Sequence, residues 1–375
     1  MQKNKITYTG AFRFPDNDAA GKRAKIIADM LSKNYNLTII NWGSESDSDK
    51  FEYKVLNSHD LVFSSNRNFI EKIKDYVFLG FKSIKNFKSE FTTSDLVILY
   101  NPPSLYCLMM LFLSKIYKFK IILDITEWYD STHLPGGRYS LPSLENGLRM
   151  RVIYRLFKYR WTISTFLDDY YSKFGMSYKF PPVSDEFKVK NKINDDSLHL
   201  MYAGSPGKKD RVDDILLFSK KLSNECNVRL SVFGMTEEEF KGIYPDTQID
   251  SNVNFFGRVS MDVIYNYYSC VDFVVFFRED KRYAWAGFPS KFVEAISFDT
   301  PVITNDVGDI STYIGNVGYL YSGSEEVITS QEVKELERLK SDIYSRKKLW
   351  SDSFDIKCHS NKLNNFIRGM LDDSF

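Results

Sequence analysis

Short runs of β-branched and aromatic residues recur along the chain, and the stretches between them carry apolar positions at helical spacing. In the first half the runs predict strands at Lys5–Gly10, Leu37–Trp42, Asp95–Asn101, Phe119–Thr126 and Arg160–Phe166. In the second half they predict strands at Leu198–Gly204, Asn227–Gly234, Asn252–Gly257, Asp272–Phe277 and Thr300–Thr304. Helical patterns lie between, the clearest being Ala19–Asn34. Strand–helix alternation of this kind predicts an α/β protein with parallel, doubly wound sheets. The near-continuous apolar run Phe273–Phe277 suits a strand covered on both faces.

The pattern breaks at residues 178–197, where a Pro-Pro pair precedes a charge-rich stretch with no clear period. Two Rossmann-like domains are therefore expected, at 1–182 and 183–349. The tail from Gln331 to Leu371 reads as one or two amphipathic helices, and residues 350–375 are expected to pack back towards the first domain. There is no repeat at a solenoid period.

Composition changes this picture little. The chain has 375 residues, 43% hydrophobic and 26% charged, as in soluble globular proteins. Its longest apolar run, Leu105–Leu113, is far short of the roughly 20 residues a spanning helix needs. The four cysteines form no CxxC and the four histidines lack metal-ligand spacing, so no metal site is expected. The opening residues lack a signal-peptide run, and the cytoplasm is the expected compartment.

Charge adds more. Residues 1–180 hold 26 Lys/Arg against 18 Asp/Glu, or +8, and the remainder holds 24 against 31, or −7. A basic first half suits an anionic partner such as the inner face of a cell membrane, although mutual attraction of the two domains reads equally well. The stretch 66–91 mixes six Lys/Arg with five Phe, and Arg149, Arg151, Arg155, Lys158 and Arg160 form a second basic run. Either could touch lipid headgroups or simply pack a helix on the sheet. Neither matches a nucleic-acid reader, because carboxylates dilute the basic residues.

Doubly wound domains facing a cleft hold ligands beyond the carboxyl ends of their strands, so the loops there carry the chemistry. After the first strand, Asn17-Asp18 can cap a helix whose small residues Ala19, Ala20 and Gly21 would let a ligand approach its amides. There is no GxGxxG, which argues against a dinucleotide fingerprint. In the second half Gly204, Ser205 and Gly207 make a small-residue loop with Lys208-Lys209 just before a helix, a cradle for a diphosphate. In Gly287-Phe288-Pro289-Ser290-Lys291, Ser290 can cap a helix that puts Lys291 and Glu294 on one face. A carboxylate there could accept both hydroxyls of a ribose while Lys291 meets phosphate. An ordinary surface ion pair is the other reading.

The segments "YAGSPGKKD", "VNFFGRVSMDVIYNYYSCVDFVVFFRE" and "AGFPSKFVEAISFDTPVITNDVGDI" resemble, in order and spacing, the C-terminal domain of family 4 (group 1) glycosyltransferases. The resemblance spans Met201 to Gly318; in the first half it rests on "GAFRFPDNDAAGKR" and "KIILDITEWYD". It implies the GT-B fold and a retaining transfer from a nucleotide sugar, UDP- or GDP-linked, with no bound metal or cofactor. It implies that Glu294 binds the ribose, that Gly204 and Ser205 belong to the first loop, and that Lys209 faces the diphosphate. Phe288, Pro289 and Ser290 would bring loop amides to the phosphates, and Arg258 would lie near the nucleotide. Lys209 and Lys291 would stabilise the charge that develops on the leaving diphosphate. The family's fuller motif is Glu-x7-Glu, and here Ala286 stands where its first glutamate would be. A capsule- or lipopolysaccharide-type member is the subset with this departure.

In the first half "LDITEWYDSTHLPGG" follows a strand, and Glu127 is the candidate for the reacting sugar, with Asp124, Asp130 and His133 as alternatives. A glycan or polyprenyl-linked acceptor is expected by resemblance. A nucleotide-sugar epimerase, an inverting enzyme, or an inactive nucleotide- or glycan-binding partner are the alternatives. The DxD at Asp47 and Asp49 sits in a polar Ser/Asp run that reads as a solvated loop.

Overall fold

Two parallel sheets organise the computed structural model, which describes residues 3–15, 18–44, 50–64, 66–189, 193, 195–204, 209–323 and 327–372. The chain divides into two compact units, Met1–Pro182 with Ile356–Phe375, and Val183–Asp355.

The first unit contains β1 (Lys5–Gly10), β2 (Asn36–Asn41), β3 (Lys54–Asn57), β4 (Leu96–Tyr100), β5 (Lys120–Ile125), β6 (Tyr159–Thr162) and β7 (Met176–Lys179). They pair in the order β3-β2-β1-β4-β5-β6-β7. Its helices are α1 (Ala19–Ser32), α2 (Phe69–Val77), α3 (Phe81–Thr92), α4 (Ser104–Tyr117), α5 (Leu141–Arg151) and α6 (Thr165–Tyr171). The second unit contains β8 (Leu198–Ala203), β9 (Val228–Phe233), β10 (Val253–Gly257), β11 (Phe273–Phe276), β12 (Val302–Thr304) and β13 (Gly318–Leu320). They pair as β10-β9-β8-β11-β12-β13. Its helices are α7 (Val212–Leu222), α8 (Glu237–Ile243), α9 (Met261–Cys270), α10 (Arg282–Ala286), α11 (Ser290–Ser297), α12 (Ile310–Ile314), α13 (Ser330–Ser341) and α14 (Ile343–Ser353). The last helix, α15 (Ile356–Asp372), returns to the first unit and packs on α1.

All ten strands expected from apolar runs form. Three more, β3, β7 and β13, lie at sheet edges. An edge strand is covered on one side only, so these need no apolar run: β7 buries no residue fully and β3 only Val55. Central strands are the reverse, and every residue of β4 and β11 is buried.

Helix starts follow capping chemistry. Asp18 caps α1 by accepting from Gly21 N at 2.6 Å, while Asn17 lies outside the described residues. Thr236 and Glu239 form a reciprocal capping box on α8. Gly21, in the first turn of α1, lets the preceding loop pack close: a Cβ there would sit 2.1 Å from the Arg13 carbonyl oxygen.

The expected linker and tail differ in detail. Lys179 is still in β7, and Ser184 N donates to Phe354 O at 2.9 Å, so much of 178–197 is held in place. The tail forms three helices, because Asp342 ends α13 and caps α14 through Ser345 N. The division falls at Asp355 rather than at residue 349, since α14 belongs to the second unit. There the Arg346 guanidinium, fully buried, donates to Asp299 at 2.6 Å and to the Lys340 carbonyl at 3.1 Å.

Candidate active site

The order of the second sheet reverses between β8 and β11, the topological switch point of a doubly wound sheet. What lies just past those two strands is therefore the natural place for a ligand.

Gly204 follows β8, where a Cβ would come within 2.2 Å of Tyr202 Oη and 3.1 Å of Lys291 Nζ. Gly234, which follows β9 at φ +95°, presses on the same spot: a Cβ there would meet Gly204 O at 1.9 Å. A Gly234→Ala change is expected to cost about 2 kcal/mol or more, from left-handed strain together with the clash against the Gly204 carbonyl. Chemical denaturation measures it, and an unshifted midpoint would mean that the two turns do not press together. Ser205, Gly207 and Lys208 lie outside the described residues.

The chain resumes at Lys209, which is exposed and whose carbonyl accepts from Tyr283 OH at 2.9 Å. Asp210 turns inward. Its Oδ2 accepts from Tyr202 OH at 3.0 Å and from Lys291 Nζ. Its Oδ1 lies 3.4 Å from Nε of Arg278, the second residue past β11. Asp210 and Arg278 also form an isolated antiparallel bridge, and Arg211 N donates to Phe277 O at 2.8 Å. Asn305, past β12, fixes the Arg278 backbone by accepting from its N–H at 2.8 Å and donating to its carbonyl at 2.7 Å. Lys291 Nζ sits over the Tyr202 ring, 4.6 Å from its centroid.

Two cations thus share one carboxylate in a place where all three side chains are largely buried. Burial alone would raise the Asp210 pKa, but Lys291 and Arg278 outweigh it and hold the acid at about 2. Burial pushes the Lys291 ammonium below the usual lysine range, Arg278 pushes the same way, and Asp210 only partly offsets them. Lys291, Arg278 and Asp210 together carry one surplus positive charge, with the Glu294 carboxylate acting on Lys291 from one turn along α11. Arg278 Nε and Asp210 Oδ1 make no hydrogen bond although buried. An incoming anion would satisfy both the surplus charge and the open donor.

The other expected residues group around this cluster or stand apart from it. Glu294, one turn along α11 from Lys291, accepts from Tyr268 OH at 3.2 Å. Phe288 is buried against Phe292, Tyr313 and Phe354, with ring centroids 6.0, 5.6 and 5.9 Å apart. Its side chain anchors the loop, so only the backbone there is left to meet a ligand. Ser290 does not cap α11. Pro289 is the N-cap, Ser290 is the first helical residue, and no side chain caps this end. The reason is that Pro289 holds the extended backbone a cap needs, at φ −72°, which shifts the helix start by one residue. Ala286 is fully buried. Arg258 lies past β10 and pairs with Glu239 at 2.9 Å, with its side chain 67% exposed.

Sequence reading missed Asp210 and Arg278. Their signal was positional: both stand just past the carboxyl ends of adjacent strands.

In the first unit Asp124 is a buried structural carboxylate. It accepts from Arg23 at 2.8 and 3.1 Å and from Tyr8 OH at 2.8 Å. Glu127 is half-buried and accepts from Tyr129 OH, and His133 closes a short turn, Ser131–His133, beside Asp130. The expected DxD at Asp47 and Asp49 lies outside the described residues.

Residues 183–346 match the family described as "Glycosyl transferases group 1". No curated protein matches the chain. Among solved structures, sucrose-phosphate synthase from Thermosynechococcus elongatus superposes with a TM-score of 0.72 at 12% identity, covering 99% of this chain and 100% of that one. The Anabaena protein HepE in complex with UDP and glucose gives 0.68 at 11% identity, covering 98% and 100%. The lipopolysaccharide outer core galactosyltransferase WaaB gives 0.64 at 17%, covering 98% and 99%. At these identities the likeness is one of fold, and the fold is GT-B.

Proposed function

We propose that this chain, a glycosyltransferase by the domain it carries, moves a hexose from a nucleotide diphosphate sugar to a glycan or polyprenyl-linked acceptor, with retention of configuration. The observation that supports this most is the surplus positive charge of Lys291 and Arg278 at the β8/β11 switch point, one helical turn from Glu294.

In this reading the diphosphate lies against Lys291 and the uncapped first turn of α11, presented by the backbone of Phe288, Pro289 and Ser290. Lys209 and the turn at Gly204 approach it from β8, and Arg258 lies towards the nucleotide. Glu294 accepts the ribose hydroxyls. Glu127 of the first unit serves the reacting sugar. As the bond from the sugar's anomeric carbon to the phosphate oxygen breaks, the acceptor oxygen bonds to that carbon from the same face. Its proton passes to the leaving diphosphate oxygen. The protein supplies no nucleophile; it stabilises the charge that grows on the diphosphate, which cations can do without a metal.

Two comparisons support the donor and the pathway. HepE is titled as a complex with UDP and glucose, and WaaB as a lipopolysaccharide galactosyltransferase. A UDP- or GDP-sugar as donor, a bacterial surface polysaccharide as product, and a cytoplasmic location with peripheral membrane contact make a consistent account. No helix among the described residues is long and apolar enough to cross a membrane.

Titration calorimetry with UDP and GDP tests the binding half. One of the two is expected to bind, and Glu294→Ala to weaken it about tenfold or more, the cost of a hydrogen bond to a charged group. Unchanged affinity in Glu294→Ala would remove the ribose role.

A further inference from the structure

Strands β4, β5, β6 and β7 follow one another across the first sheet in one direction, whereas β1 to β2 runs in the other. Right-handed crossovers therefore put α4, α5 and α6 on one face of the sheet and α1 on the opposite face. Helices α4 and α5 lie side by side, so their outward residues look the same way.

Those outward residues are apolar. On α4 they are Leu108, Phe112 and Ile116, spaced i, i+4, i+8. On α5 and just past it they are Leu141, Leu144, Leu148 and Val152, again on one stripe. Phe112 is 60% exposed and Leu144 59%. Helix α2 joins this surface through Tyr76 OH, which donates to Glu145 of α5 at 3.3 Å. It buries no side chain fully, and its Phe69 is 77% exposed. An apolar area of this extent is uncommon on a protein that stays in water.

Within the segments that form α4, α5 and their flanks the charges have one sign, whereas α2 adds exposed Glu71 beside Lys72 and Lys74, and α6 adds exposed Asp169. Within 104–118 and 138–160 there are eight Lys/Arg and a single carboxylate, Glu145. Glu145 is turned inward, accepting from Ser104 N and Oγ at 2.9 Å. Lys115, Lys118, Arg138, Arg151 and Lys158 are exposed. No carboxylate in either segment is exposed.

We infer that the α4–α5 face docks on an anionic lipid bilayer, with the two apolar stripes among the headgroups and the five basic side chains on lipid phosphates. Charge selects this occupant. A second copy of the chain would bring the same positive rim against itself, which opposes self-association. The stripes lie exposed on two adjacent helices, which suits a deformable interface. This places the polyprenyl-linked acceptor of the proposed function at the same surface, but docking is measurable without any sugar transfer.

The test is flotation of the full chain with vesicles of phosphatidylcholine alone and with phosphatidylglycerol mixed in. Binding is expected only to the anionic vesicles, and to fall as salt rises. The combined variant Lys115→Gln, Arg151→Gln, Lys158→Gln should bind about a hundredfold more weakly, roughly fivefold per charge removed. Phe112→Ser with Leu144→Ser and Leu148→Ser should release the protein while leaving nucleotide binding intact, because all three side chains are exposed and lie in the first unit. Equal binding to both vesicle types, binding to neither, or a dimer that the serine variant dissolves would each overturn the inference.

Discussion

Replacing Lys291 with methionine is expected to slow release of nucleotide from the donor by about 10²–10³-fold, the usual loss when one group that stabilises growing negative charge is removed. The same change should leave stability almost untouched. Lys291 is one of two cations on Asp210, and burial and Arg278 already disfavour its charge. Its removal leaves a balanced Arg278–Asp210 pair. Methionine fills the space of the stem, so no cavity opens. Activity and denaturation midpoint measured on one preparation decide the matter. A variant that keeps its activity would remove Lys291 from the mechanism, and one that unfolds would make Lys291 a structural residue.

The second large effect lies in the first unit. Asp124→Ala is expected to destabilise the chain by about 3–5 kcal/mol, because it leaves the Arg23 guanidinium buried with its carboxylate gone. Arg23 has few alternatives: among the described residues its remaining partners are the Phe180 carbonyl at 3.1 Å, the Pro181 carbonyl at 3.5 Å and the Phe180 ring, 4.8 Å away. Tyr8 OH loses its acceptor at the same time. Chemical denaturation monitored by tryptophan fluorescence would show the shift, and Glu127→Ala is the comparison. Glu127 is only half-buried and should leave the midpoint nearly unchanged while lowering transfer. If Asp124→Ala unfolds at the wild-type midpoint, the Arg23–Asp124 pair is not a structural pin.

These two residues show what could be read from the sequence. Glu294 and Lys291 are legible because their relation is local: three residues apart on a helix, they share a face wherever that helix lies. The Lys291–Asp210 contact joins positions 81 apart, and only the pairing of β8 with β11 brings them together. Asp124 looked like a candidate because it ends a strand beside Glu127, but what surrounds it, Arg23 of α1 and Tyr8 of β1, is set by packing across the unit. The same contrast holds for the sheets. Central strands such as β4 announce themselves by continuous apolar residues, while β13, a Gly-Tyr-Leu edge, is held by pairing with β12 and leaves Leu320 exposed. At Ser290 the residue type suited a cap, yet Pro289 took that position. The polarity of the first half was plain from counting, but which surface it serves depended on knowing that Glu145 points inward while Lys115 and Arg151 point out.

The central claim is that the cations beyond β8 and β11 hold the diphosphate of a sugar donor and promote its departure. It is tested most directly by incubating the protein with UDP-, GDP-, ADP- and CMP-sugars in the presence of a chelator and measuring the nucleotide released. The account predicts release from one UDP- or GDP-sugar, slow without acceptor, unaffected by the chelator and lost in Lys291→Met. Release from none of the four after a lipid-linked acceptor is added, or release that Lys291→Met leaves intact, would contradict it.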